Sequence, residues 1–426
     1  MIDLFFLAIS GMTSAVILAL QLVFYVWWIW APLILGFVYL DSVKKFNQKV
    51  YKAGLKWTVL ELKIPTDVHK SPKAMEQVFS ALHSISGFGD PAEGRKDVFK
   101  AWKESVFQGK VPDWFSFEIL ASGGEIHYYI RCLEKQRSII ESQIFAHFSE
   151  SEITPVQDYM TQLPSHLPNE QYDVAGADLS LTKDDIFPIR TYPEFEEDKA
   201  GKDDVRRIDP LASLAEAMGA FLLGEFGAIE YLISPASEKS TKAWIKKSQS
   251  AVDKLMGKEE KKGPSASDKV FASIEGGVKS VTGLVFEQVE AKKEEKKEEK
   301  KDLAPGVGEV IRAMEKSIAK FQFRVGIKIL YAAKKEKFVK ERLSTLAAAF
   351  RIFSGQSLNG FKVGVTKDPK KFFAQFKARE FPHSPFSLNT EELATIYHFP
   401  DVGVKTPALP RIEAKKGEAP AGIPTV

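Results

Sequence analysis

The sequence predicts an α+β protein: an N-terminal transmembrane helix followed by two ferredoxin-like (βαββαβ) modules, the second with a long charged insertion. Three observations predict it. Residues 4–40 contain no charged side chain. After them, apolar residues alternate at strand spacing and recur at helix spacing in the order β-α-β-β-α-β, and that order comes round twice. With 426 residues, 44% hydrophobic and 27% charged, the chain is also long and apolar enough to fill two or three cores. The expected divisions are an anchor over 1–45, a first module over 46–165, a second over 166–368 with an insertion at 236–304, and a C-terminal helix and tail over 369–426.

The anchor comes first in the chain. About 20 helical residues cross a hydrocarbon core, so residues 4–40 supply one long tilted helix, or two short ones turned near Trp27, Trp28, Trp30 and Pro32. Phe24, Tyr25, Trp27, Trp28, Trp30 and Tyr39 are the aromatic side chains suited to the membrane interface. Lys44, Lys45, Lys49, Lys52 and Lys56 follow at once, whereas residues 1–3 carry no basic side chain. The positive-inside rule therefore places the rest of the chain on the cytoplasmic side of the membrane as a single-pass protein. A cleaved signal peptide fits poorly, because there is no basic leader and the apolar run far exceeds its hydrophobic core.

In the first module, the segment WTVLELKIP at 57–65 alternates as a half-buried strand does, and Pro65 stops it. Ser71 and Pro72 read as the cap and first residue of a helix with Ala74, Met75, Val78, Phe79 and Leu82 inward, running to about Ile85. Residues 115–120 and 126–133 form a hairpin around Ser122, Gly123 and Gly124. A helix over 134–148 and a strand at 153–156 complete the unit. The second pass begins near Tyr172. Its helix is capped by Asp209 and Pro210 and lined by Leu211, Leu214, Met218, Phe221 and Leu222. Strands at 226–233 and 321–331, a helix at 336–353 and a strand at 361–365 close it. The strings YYIRCLEKQRSIIESQIFAHF and KILYAAKKEKFVKERLSTLAAAF share one plan, which points to an internal duplication rather than a single non-repeated fold.

The insertion holds the block KKEEKKEEKK at 292–301, in which each i,i+4 neighbour carries the same charge. That opposes a helix and favours a solvated linker. The stripe Val270, Ile274, Val278, Val281, Val285 and Val289 suits a membrane surface, a partner, or the insertion's own helix at 244–255. Beyond residue 368, Asn389 and Glu392 form a capping-box pattern, and the chain ends in a proline-rich arm.

Chemistry is hard to find in this chain. The clusters Gly87-Phe-Gly89 and Gly306-Val-Gly308 lack the Lys-Ser/Thr of a phosphate loop. No two histidines stand at metal-ligand spacing, and the lone cysteine, Cys132, excludes both a thiolate zinc cage and an internal disulfide. It lies in an apolar run and reads as a core thiol in a reducing compartment. Acid pairs such as Asp184-Asp185 and Glu391-Glu392 fit solvated loops or helix starts better than acid-base dyads. The expectation is therefore a non-enzyme with no cofactor and no metal. A net charge of +3 gives no global basic field, so nucleic-acid contact would need a local patch; Lys334, Lys335, Lys337, Lys340 and Arg342 supply a candidate one.

Two runs, WTVLELKIPTDVHKSPKAMEQVFSALHSI at 57–85 and SPFSLNTEELATIYHFPDVGVKTPALPRIEAKKGEAPAGIP at 384–424, resemble the membrane-anchored N-terminal half of bacterial type IV secretion and conjugative coupling ATPases of the candidate-phyla type. In that family the second run leads into a FtsK-like or HerA-like motor domain, and here the sequence stops at Val426. The resemblance implies a scaffold that recruits a separately encoded hexameric ATPase to the membrane, with homo-oligomerisation and with nucleic acid reached through the complex. Thr390, Glu391, Glu392, Leu393, Ile396, Tyr397, His398 and Phe399 are the expected docking helix, unless that helix packs back on the second module. The rival reading is a membrane-tethered nucleic-acid-binding module that uses a sheet face and the basic cluster.

Overall fold

The structure is a computed structural model and describes residues 25–65, 71–85, 95–195, 209–257, 305–400 and 411–412. The chain divides into two compact units: residues 1–57 with 86–113, and residues 58–85 with 114–426.

The smaller unit is a helix pair. Helix α1 (Trp27–Ala53) begins in the apolar run and continues through the lysines, with Pro32 inside it. Helix α3 (Arg95–Phe107), which the sequence reading did not anticipate, packs on it. Asn47 Nδ2 donates to the Val106 carbonyl at 2.9 Å. Just beyond α3, Gly109 has φ +66°, and a Cβ there would fall 2.2 Å from the Asn47 carbonyl group, so only glycine allows the two backbones to approach this closely. Among the described residues no helix is long and apolar enough to cross a membrane. The second half of α1 carries Asp41, Lys44, Lys45, Lys49 and Lys52, and residues 1–24 lie outside the described residues.

The larger unit is mixed α+β, built on one antiparallel sheet of nine strands, with a two-residue tenth strand added in parallel. The elements in chain order are β1 (Trp57–Pro65), α2 (Lys73–Leu82), β2 (Phe115–Ser122), β3 (Glu125–Leu133), α4 (Arg137–His147), β4 (Glu152–Val156), β5 (Tyr172–Leu181), α5 (Ala212–Gly219), β6 (Glu225–Pro235), α6 (Glu238–Leu255), α7 (Pro305–Ile318), β7 (Gln322–Lys334), α8 (Glu341–Ala349), β8 (Phe361–Val365), α9 (Pro369–Lys377), β9 (Phe386–Asn389), α10 (Thr390–Ile396) and β10 (Arg411–Ile412). The strands lie in the order β4-β1-β3-β2 in the first half and β6-β7-β5-β8 in the second, with β2 against β6. Each half thus has the same internal order, and the two meet through equivalent strands. Strand β9 pairs with the start of β7, and β10 with the end of β1.

Alternation along the strands sorts side chains to two faces. Phe115, Phe117 and Ile119 of β2, with Ile229, Tyr231 and Ile233 of β6, enter a core with α2, α4, α5, α8 and α10. Leu120, Phe226, Ala228 and Leu330 face the other way, under Tyr159, Met160 and the phenylalanines of α9. A third small core joins α6 and α7 through Trp244, Val252, Ile311 and Met314.

Apart from the unanticipated α3, the elements fall close to where the pattern placed them, with four further differences. Helix α2 starts at Lys73, with Ser71 Oγ accepting from the Lys73 N–H at 3.4 Å. The helix expected over 336–353 is α8 between two short 3-10 turns. Leu222, expected on the inner face of α5, lies past its end and is exposed. The excursion between β6 and β7 runs beyond residue 304, because α7 also belongs to it. The valine stripe at 270–289, the charged block at 292–301 and the proline-rich tail lie outside the described residues.

Candidate functional site

The register of β2 on β6 pairs Phe115 with Ile233 and Ser122 with Phe226, which sets Glu118 directly opposite Glu230. Successive partners extend this into a polar row across the sheet: Tyr129, Glu118, Glu230, Lys328 and Asp178. Glu118, Glu230 and Lys328 are fully buried. Two like charges paired directly across a ladder repel, and burial without compensation costs several kcal/mol, so a counter-charge is needed.

Arg379 provides it. Its guanidinium donates from Nε and Nη2 to Glu118 at 3.2 and 3.1 Å, and from Nη1 and Nη2 to Asp158 at 2.8 and 2.9 Å. Nε also lies 3.5 Å from Glu230 Oε1. Ser116 donates a short hydrogen bond to Glu118 as well. The backbone presents this side chain unusually. The Arg379 N–H bonds to the Phe376 carbonyl and the Glu380 N–H to the Gln375 carbonyl, the two bonds of a Schellman motif closing α9, with Arg379 at φ 50° where glycine is the usual residue. A left-handed arginine costs on the order of 1 kcal/mol, which its ionic hydrogen bonds offset.

The protonation states follow from these contacts. Burial pushes the Glu230 carboxyl well above the usual range, and the neighbouring Glu118 adds to this against the opposing pull of Arg379 and Lys328. Among the described residues neither Glu230 oxygen has a hydrogen-bond partner. Burial works against the charge on Arg379, but Glu118, Glu230 and Asp158 outweigh it and keep the guanidinium charged. Burial lowers Lys328, with Glu230 and Asp178 opposing. Arg131 falls to about 10 through burial and the proximity of Arg379. The row is a charge-neutralising seam at the join of two halves.

A second cluster lies around the first turn of α10. Glu391 accepts from Thr191 Oγ1 at 2.6 Å and from Lys316 Nζ at 2.8 Å, and also pairs closely with Lys320. Lys320 reaches Glu76 of α2 at 2.5 Å, and Tyr192 donates to the same carboxylate at 2.8 Å. Arg312, Lys316, Glu194 and Glu391 line a cleft of about 190 Å³ beside it. Glu392 completes the predicted capping box with Asn389 and also accepts from the Ile189 N–H at 2.9 Å. Burial raises its carboxyl to about 7. Both clusters tie elements together. Among the described residues no group of three or more His, Cys, Asp or Glu side chains is placed to hold a metal ion.

The expected docking residues are core, which corrects the exposed helix read from the sequence. Thr390, Glu391, Glu392, Leu393, Ile396, Tyr397, His398 and Phe399 are all buried. The Tyr397 ring packs edge-on against Phe117, Tyr128 and Tyr231 at 4.8, 6.0 and 5.5 Å, drawing on both halves. Phe399 sits against Phe148 and Tyr128, and His398 Nε2 lies 3.1 Å from Asp209. In the basic cluster, Lys334, Lys335 and Lys340 are exposed, while Lys337 donates to the Leu223 carbonyl and Arg342 pairs with buried Glu225. Strand β6 is buried on both faces over nearly its whole length, so the middle of the sheet offers no surface for stacking bases. Of the anchor residues, Tyr25, Trp27, Trp28, Tyr39 and Lys45 are exposed on or beside α1 and Lys44 is half-buried. Phe24 and the side chain of Trp30 lie outside the described residues. Arg379 escaped the sequence reading, and its one signal is an arginine where a helix needs a left-handed terminator.

The profile of a family described as a domain of unknown function, DUF8128, matches residues 52–411. The chain belongs to the DUF8128 family. The DUF8128 match begins in the last turn of α1 and ends on β10, so it takes in the whole sheet, both halves and the Arg379 seam. No curated protein matches this DUF8128 chain.

Proposed function

We propose that this DUF8128 chain is a non-catalytic, membrane-anchored scaffold. Its two halves would be ferredoxin-like modules, and its task would be to recruit a separately encoded motor ATPase in a machine of the type IV secretion or conjugative DNA-transfer kind. The observation that carries the membrane part is the first half of α1. Trp28, Leu33, Leu35, Phe37 and Tyr39 are all exposed, Phe37 to 76%, on a helix that continues an uncharged run of sequence. Surface of that kind is costly in water and suits lipid. The scaffold part is supported by buried charges that are spent on joining elements and by the absence of a phosphate loop in the sequence. The machine is supported by the sequence resemblance alone.

The test uses the full chain expressed in bacteria. Wild type should remain in the membrane pellet after carbonate washing, and Leu33→Asp with Phe37→Asp should release it. A wild-type chain that stays in the soluble fraction refutes the anchor. ATP turnover by the purified chain refutes the non-catalytic reading. Salt-sensitive DNA binding lost in Lys334→Glu with Lys335→Glu would favour the nucleic-acid module instead.

A further inference from the structure

Helix α3 is amphipathic in an unusual sense, because its outward face is the aromatic one. Phe99, Trp102 and Phe107 are 65%, 44% and 53% exposed. Their rings nonetheless touch, Phe99 to Trp102 at 5.7 Å and Trp102 to Phe107 at 6.1 Å, forming a continuous strip along the helix. Exposed Lys100 and Lys103 flank it. Half-buried Ala101, Glu104 and Ser105 and buried Val106 leave nothing of the strip to pack inward.

Two features of the same unit indicate what covers this strip. Gly109, at the end of α3, abuts α1 at Asn47 and Gln48, within the lysine-bearing turns that follow the exposed apolar stretch of α1. The local charge is net positive: residues 41–56 and 95–110 hold three carboxylates against ten lysines and arginines, and two of those carboxylates, Asp41 and Glu104, pair with Lys45 at 2.6 Å and Lys110 at 3.5 Å. Aromatic side chains flanked by lysines form the face with which interfacial helices enter the headgroup region, and tryptophan favours that depth.

We propose that α3 is an interfacial helix that lays Phe99, Trp102 and Phe107 into the headgroup region of an anionic bilayer, with Lys100 and Lys103 on lipid phosphates. It rests on the membrane reading above, and would give the chain a second contact with the lipid surface besides the α1 anchor. Two such contacts fix the orientation of the unit, whereas a lone helix leaves it free to swivel.

The test reconstitutes the full chain in phosphatidylglycerol vesicles, with and without brominated acyl chains, and compares wild type with Trp102→Phe. The quenching increment lost in the variant reports Trp102 alone and should be clear in phosphatidylglycerol and small in phosphatidylcholine. Lys100→Glu with Lys103→Glu should lower the docked-to-undocked ratio of α3 by more than about tenfold, at about a few-fold per lysine near an anionic surface. Circular dichroism matching wild type shows that the variants are folded. Vesicle-bound protein with no Trp102 increment overturns the inference and leaves the anchor standing. Protein that floats free of vesicles overturns the anchor as well. An increment equal in both lipids overturns the role of the lysines, and protection of Trp102 from aqueous quenchers without lipid assigns the strip to a protein contact instead.

Discussion

Replacing Arg379 with methionine removes one buried charge at nearly constant volume. Glu118 loses two hydrogen bonds of 3.2 and 3.1 Å from a group that is itself 1% exposed. At about 3 Å and an effective dielectric constant near 20, Coulomb attraction is on the order of 5 kcal/mol. Measured losses on breaking one side of a buried pair are about 3–5 kcal/mol. Asp158 is partly exposed and adds little to that total. The expected loss for Arg379→Met at pH 7.5 is therefore about 3–5 kcal/mol, read from urea unfolding of the detergent-solubilised full chain by circular dichroism. A loss below about 1 kcal/mol, the range of ordinary surface changes, refutes the reasoning.

Glu230→Gln is expected to behave in the opposite way. Burial and the neighbouring Glu118 favour the neutral form of this carboxyl, so the amide should change stability by less than about 1 kcal/mol at pH 7. Because the folded pKa is raised, the proton's contribution is full below the unfolded value and lost as pH rises through the folded one. The amide variant should therefore gain on wild type in alkaline unfolding series, and parallel curves would count against it. Glu392 should titrate near 7 by side-chain carbon NMR, with its share of stability falling as pH rises from 4.5 to about 7; a midpoint below 5 sinks this. Tyr397→Ala should cost about 3–5 kcal/mol as a core cavity, whereas a docking residue on the surface would cost under about 0.5. Gly176→Ala would set a Cβ 2.1 Å from the Phe372 ring, and unfolding should show a loss of about 1–3 kcal/mol from overpacking.

Local pattern revealed most of the elements and missed their long-range partners. The β6 and β7 strands were legible across the whole intervening excursion, because β6 is a short, almost continuous apolar run and the first half of β7 alternates. The pairing of β2 with β6 left no trace, since an edge strand bound for a neighbouring half has the same composition as any buried strand. The segment 390–399 looked exposed because its aromatics have no nearby sequence partner; the partners are Phe117, Tyr128, Phe148 and Tyr231. Helix α3 went unread although Phe99, Trp102 and Val106 recur at helix spacing; lysines and acids fill the positions between, as in a solvated linker. Arg379 could not be read because its neighbours in space come from strands and turns far away in the chain.

Where β2 pairs with β6, a glutamate of one half stands directly opposite a glutamate of the other. One arginine, arriving from beyond both strands, cannot serve the two equally. It grips Glu118 with two hydrogen bonds and leaves Glu230 with a single longer approach. The two glutamates are therefore not equivalent: one is gripped by the guanidinium and the other is left without a hydrogen-bond partner among the described residues, so substitutions at Glu118 and Glu230 should diverge in their effects.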